Sequence, residues 1–145
     1  MARLLAWWAL APVLGACATY WPTLEGRSPT AAAAAYRCAD SAASALGFAH
    51  TVGAERTRSF EARRYDERAS NLLGMERRQF DVLSVELRPA DTAATNLRVR
   101  AETVVRRITR EGWVEEGAPA SPGAQRAARE LLARCAPGVT PGRSP

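Results

Sequence analysis

The side chains able to do chemistry are few: Cys17, Cys38, Cys135, a single histidine at His50, and 20 basic residues, every one of them arginine. A histidine acts as a catalytic base when a nucleophile and an orienting carboxylate accompany it, and no Ser, Cys or Asp motif of that kind surrounds His50. His50 alternates with Phe48 and Val52, so it is expected on the apolar face of a strand as a satisfied core or edge residue. Metal sites draw on clusters of His and Cys, and nucleotide sites on Gly-rich phosphate loops; the sequence carries neither pattern. No cofactor or metal is therefore expected. Glu115 and Glu116 stand in a Gly-containing stretch beside Trp113 and read as a solvated loop, since paired-carboxylate chemistry depends on separation in space rather than adjacency in sequence. The chain is not expected to be an enzyme.

The arginines are the more informative set. They recur at Arg56, Arg58, Arg63, Arg64, Arg68, Arg77, Arg78, Arg98, Arg100, Arg106, Arg107 and Arg110. Arg98 and Arg100 alternate with apolar neighbours and so project from the sheet face opposite the core. Glu61, Asp66, Glu67, Glu76, Glu86 and Glu102 are available to make that a solvated, ion-paired face. The other reading is an anion-binding face, which requires outward arginines to outnumber the carboxylates around them. The net charge of +5 in 145 residues favours solubility and weak attraction to anionic surfaces without singling out nucleic acid.

The N-terminal segment restricts these choices. Arg3 precedes an apolar or small-residue run from Leu4 to Ala18, interrupted by Pro12. At ~1.5 Å per helical residue the run is too short to cross a hydrocarbon core of ~30 Å, so it reads as an export signal. Leu14-Gly15-Ala16-Cys17 resembles the lipobox of bacterial lipoproteins: a branched apolar residue, two small residues, then cysteine. The resemblance covers only these residues and the run before them. It implies thioether attachment of diacylglycerol to Cys17, cleavage before it and acylation of the new amine. Ala16-Cys17-Ala18 also satisfies the small-x-small rule for ordinary secretion with cleavage after Ala18, which would discard Cys17. In the sorting scheme of diderm bacteria, Ala18 in place of aspartate implies the outer membrane, with the domain facing the periplasm. Export also argues against a nucleic-acid partner.

The elements that must position these residues follow from periodicity. Residues 1–16 form the signal, and residues 17–30, with Pro22, Gly26 and Pro29, read as the lipidated cysteine and a flexible tether. A single α+β domain is expected over residues 31–136, with a disordered tail over 137–145. Thr30 is placed to cap a helix running through Leu46 and ending at Gly47, with Ala35, Cys38, Ala42, Ala45 and Leu46 on one face. Phe48, His50 and Val52 mark one strand, and Phe60 and Ala62 a second. Leu83, Val85 and Leu87 face the core from a third, and Leu97, Val99, Ala101, Thr103 and Val105 from a fourth. The turn residues from Pro89 to Asn96 make the last two an antiparallel hairpin, and if Leu87 faces Leu97, then Glu86 falls opposite Arg98. Ser121 and Pro122 start a closing helix through Ala124, Ala128, Leu131, Leu132 and Cys135. The expected architecture is a two-layer fold: an antiparallel sheet of about four strands with both terminal helices on one face.

With Cys17 committed to lipid, Cys38 and Cys135 are an even pair in an oxidising compartment, each on the apolar face of a terminal helix, and a disulfide between them is expected. The sequence thus leads to a membrane-anchored envelope lipoprotein with a small non-catalytic interaction domain and an envelope protein partner. The alternative is a binder or carrier of an anionic envelope ligand, a lipid headgroup or lipopolysaccharide, through an arginine-rich sheet face that includes Arg98 and Arg100.

Overall fold

A computed structural model describes residues 22–73 and 77–138; the signal segment, Cys17, Tyr20, Trp21, Glu76 and the tail beyond Gly138 lie outside the described residues. The fold is α+β, with a six-stranded antiparallel sheet and three helices. The elements are β1 (Thr23–Ser28), α1 (Ala32–Ala45), β2 (Ala49–Ala54), β3 (Ser59–Asp66), α2 (Glu67–Leu73), β4 (Arg77–Pro89), β5 (Thr95–Thr109), β6 (Gly112–Ala118) and α3 (Pro122–Cys135). Strand order is β1-β5-β4-β3-β2, and β6 also pairs with β5. β1 takes residues 95–100 of β5 and β6 takes residues 103–109, so the two share one edge of that strand.

The hairpin at the centre has the expected register, with Leu87 opposite Leu97 and Glu86 opposite Arg98. Alternation along these strands turns Leu83, Val85, Leu87, Leu97, Val99 and Ala101 inward, where they are buried with Phe60 and Ala62 of β3. α1 and α3 cover this face. α3 contributes Ala124, Ala127, Ala128, Leu131 and Leu132, all buried, and its start is as expected: Ser121 caps it, accepting from the Ala124 N–H at 3.0 Å, with Pro122 in the first turn. Alanine is the best helix former and has no bulk, so the layers approach closely. Gly26 of β1 belongs to the same logic: a side-chain carbon there would lie 2.9 Å from Ala136 Cβ, so only glycine lets the end of α3 rest on that strand.

Several expectations are corrected. The tether does not reach residue 30, because Thr23–Ser28 is β1, antiparallel to β5. Its inward positions are Leu24, Gly26 and Ser28, a set without an apolar rhythm, while its hydrogen bonds come from the β5 edge. Thr30 does not cap α1: the helix starts after Ala31 with no side-chain cap, and Thr30 instead contacts Ser28 through its hydroxyl and accepts from Thr95 Oγ1 through its carbonyl. Gly47 does end the helix, at positive φ, with the Phe48 N–H reaching Ala43 O and the Gly47 N–H reaching Ser44 O in a Schellman arrangement. The buried face of α1 is Ala35, Tyr36, Ala39, Ala42 and Ala43, with Cys38 at its margin and Ala45 exposed. The Phe48, His50, Val52 alternation is broken by a register shift between His50 and Val52, which puts Val52 opposite the outward Glu61; Phe48 is buried, and His50, opposite Ala62, keeps the helix-covered face but is exposed because β2 is an edge strand. The sheet has six strands rather than four because β1 and β6 both add to β5. The stretch around Glu115 and Glu116 is β6, not a loop. On β5 the buried alternation holds from Leu97 to Thr103, after which Val104 is buried and Val105 half-buried.

Helix length sets what the core can cover. α3 has 14 residues and β5 has 15, so at ~1.5 Å and ~3.4 Å per residue they span about 20 Å and 50 Å. The far half of the β4–β5–β6 ribbon therefore projects beyond α1 and α3, and α2 packs against β4 there. There the sheet coils over its outer face. Register places Arg63 of β3 and Glu115 of β6 three strands and four residues apart, roughly 19 Å in a flat sheet, yet Arg63 Nη1 lies 3.1 Å from Glu115 Oε2. Beneath that bridge the outward Val82 and Val104 are buried as a second, small apolar cluster.

Cys38 and Cys135 form a disulfide, Cα–Cα 5.8 Å, closing a sequence separation of 97 residues and joining the middle of α1 to the last residue of α3. A loop of that length corresponds to about 4–5 kcal/mol in the chain-entropy model, an upper figure. The double variant Cys38→Ala, Cys135→Ala should unfold at markedly lower denaturant than the oxidised protein and coincide with the reduced one; an unchanged midpoint would refute a stabilising role for the bond.

Candidate functional site

Three polar clusters are built on this frame. The first is buried. Asp81, 1 % exposed and inward-facing on β4, receives Arg64 Nη2 at 2.9 Å and Ser121 Oγ at 2.6 Å, with Thr103 Oγ1 at 3.3 Å. Arg64 extends its other nitrogen to the Leu46 carbonyl at 3.1 Å, and its guanidinium lies 4.5 Å above the Phe48 ring. Ser121 faces a carboxylate but no histidine, and its hydroxyl also accepts from the Ala124 N–H, so every member is committed to holding the start of α3 and the end of α1 against the sheet. This cluster left no motif in the sequence; its members are separated by 17 to 40 residues along the chain.

His50 belongs to a second cluster, between α1 and the β2 edge. Its Nδ1 is 2.9 Å from Asp40 Oδ1, its Nε2 donates to the Gly53 carbonyl at 3.3 Å, and its ring stacks on Phe60. Both ring nitrogens thus face acceptors, which favours the imidazolium, and the Asp40 hydrogen bond raises the pKa above 6.5 against a smaller opposing effect of burial. His50 is a satisfied edge histidine with neither nitrogen open to a substrate.

The outer face carries the third set. Arg98 and Arg100 project outward as expected and line a cleft of about 370 Å³ with Thr23, Glu61, Ser84, Glu86 and Glu102. Arg100 pairs with Glu102 at 2.6 Å, Arg98 with Glu25 at 3.6 Å, and Glu86 takes Arg88 at 3.4 Å rather than the Arg98 opposite it. Carboxylates match the arginines here, which gives this region the character of an ion-paired face.

The imbalance lies at the other end. Arg77 stands opposite Arg107 and Arg78 opposite Arg106, two successive like-charge pairs across β4 and β5. Arg107 bonds Glu116 and Arg63 bonds Glu115, so both glutamates of β6 are used. Arg78 and Arg106 have no carboxylate partner among the described residues; their guanidinium carbons lie 5.4 and 5.1 Å from the Trp113 ring centroid instead. Arg106 Nε is sealed from water with no acceptor. Trp113 (41 % exposed) and Ile108 (48 %), paired in register, share that face with Tyr65 (47 %) and Phe80. The sequence displayed these arginines, but not that β6 would lay Trp113 across them.

Among the described residues no His, Cys, Asp and Glu group is arranged to hold a metal ion, and no helix is long and apolar enough to cross a membrane. Compared with known proteins, the chain matches no family model and no curated protein.

Two predictions test the structural roles. Asp81→Ala leaves Arg64 and Ser121 without their acceptor and should destabilise the fold by about 3–5 kcal/mol, read by denaturant unfolding; a loss below about 1 kcal/mol would contradict the buried pair's role. The His50 contribution is fully present below its unfolded pKa of about 6.5 and is lost as pH rises through the raised folded value. Thermal melts of wild type and Asp40→Asn should therefore differ at pH 5.5 and converge by pH 8.5, by at most about 1 kcal/mol given the exposure of the pair.

Proposed function

We propose that this chain is a membrane-anchored envelope lipoprotein whose α+β domain is a non-catalytic interaction module, held by lipid on Cys17 and directed to the outer membrane facing the periplasm. The observation that carries the reading is the Cys38–Cys135 disulfide. It removes two of the three cysteines from any other role and belongs to an oxidising compartment, leaving Cys17, within the lipobox-like Leu14–Cys17, as the thiol available for acylation. His50 held between Asp40 and Gly53, and Ser121 committed to the buried cluster, support a binding role over a chemical one. A protein of the envelope is the proposed partner, with no cofactor and no nucleic acid.

Intact-mass measurement of the protein purified from membranes tests the anchor. The expected mature chain starts at Cys17 and carries diacylglycerol, with a further acyl chain on its amine. A chain starting at Thr19 without lipid would refute anchoring and leave an exported, soluble domain.

A further inference from the structure

We propose that the outer face of the β4–β5–β6 end, where Trp113 lies against Arg78 and Arg106 with Ile108 beside it, is a membrane-contact surface that rests on phosphate-bearing anionic headgroups. Charge is the first argument. Elsewhere on the outer face the arginines meet carboxylates, as at Arg98, Arg100 and Arg63, whereas Arg78 and Arg106 face one another across β4 and β5 and lean on an indole. Two like charges held side by side repel, and a phosphate between them removes the repulsion while receiving forked N–H donors.

The apolar component is the second. Trp113, Ile108 and Tyr65 are large and substantially exposed on the same face as these arginines. An indole flanked by guanidinium groups matches the headgroup layer, where amphipathic rings settle between acyl chains and phosphates while arginine heads remain at the polar level. An acidic peptide would satisfy the arginines but leave most of this apolar area in water.

Chain length is the third, and it rests on the anchored reading of Cys17. Five residue steps separate Cys17 from Pro22, a reach of at most ~17 Å. The Pro22 carbonyl accepts from the Ala101 N–H at 3.1 Å, next to the point where Ala118 of β6 pairs with Thr103. Trp113 is five residues along β6 from Ala118, again about 17 Å. A lipid on Cys17 therefore holds the domain close enough for the Trp113 end to touch the same bilayer.

The test uses the mature protein with Trp21 replaced by Phe; Trp7 and Trp8 precede Cys17 and leave with the signal, so Trp113 is the sole tryptophan. It is mixed with vesicles of phosphatidylcholine alone or with phosphatidylglycerol, each containing brominated acyl chains. Trp113 emission should be quenched in the phosphatidylglycerol vesicles and little in phosphatidylcholine alone. Quenching should be lost in Arg78→Glu, Arg106→Glu and retained in Arg98→Glu, Arg100→Glu, with formation of the Cys38–Cys135 bond confirming that each variant folds. A milder Arg78→Gln, Arg106→Gln pair should give the same loss and serves where charge reversal prevents folding. Unquenched Trp113 in anionic vesicles, or quenching indifferent to residues 78 and 106, overturns the proposal. A Trp113 shift seen only with a polyglutamate peptide overturns it in favour of an acidic protein. Vesicle flotation of the variants altered at 78 and 106 reads the anchor separately: they float through lipid on Cys17 if the anchored reading holds and stay behind if it fails.

Discussion

A carboxylate inside a protein must be neutralised where it sits, and the fold is organised around one. Asp81 is almost wholly buried at the level of the sheet where the helices end, and Arg64, Ser121 and Thr103 converge on it from β3, the start of α3 and β5. Arg64 simultaneously bonds the last carbonyl turn of α1. An isolated charge in that position would be intolerable, so the ends of two helices and three strands have one mutual arrangement that satisfies it. The disulfide clamps the helix pair away from this cluster. Between the two fixings lies a core of alanines and a few leucines, whose small side chains supply close contact but little shape to choose among packings. Register and helix placement accordingly depend on the polar cluster and the covalent bond more than on bulk.

That same arrangement divides the sheet. Helices of ordinary length cover the half of β4 and β5 next to β1, and the buried cluster marks the limit of their cover. Beyond it α2 packs against β4, with the Gln79 N–H donating to Ser70 Oγ, and the coil of the sheet brings β6 toward β3 on the outer side, enough for Arg63 to meet Glu115. The charged residues sort accordingly. Near β1 each outward arginine finds a carboxylate within its own or the next strand, whereas at the projecting end the glutamates of β6 go to Arg63 and Arg107 and leave Arg78 and Arg106 with Trp113. A nearly even distribution of charge along the chain thus becomes a polarised surface.

The sequence by itself determined the central hairpin, its register, the closing helix with its Ser121 cap, and the pairing of Cys38 with Cys135. These follow from local rules: strict period-2 alternation, a capping signal before an apolar stripe, and two cysteines on facing helices. It also reached the outward direction of Arg98 and Arg100, since alternation fixes which face a strand residue takes. Tertiary structure decided the rest. β1 has glycine and serine at inward positions and becomes a strand only because β5 offers an unpaired edge; β6 joins for the same reason, turning an apparent loop into the strand that positions Trp113. His50 kept its expected face but lies at the sheet edge, opposite Ala62 and against Phe60, whereas a single bulge after it turned Val52 to the outer face. Which arginines pair with carboxylates, and which rest against an indole among the described residues, was decided by distances between residues as far apart as Arg63 and Glu115, and no local pattern in a chain encodes those.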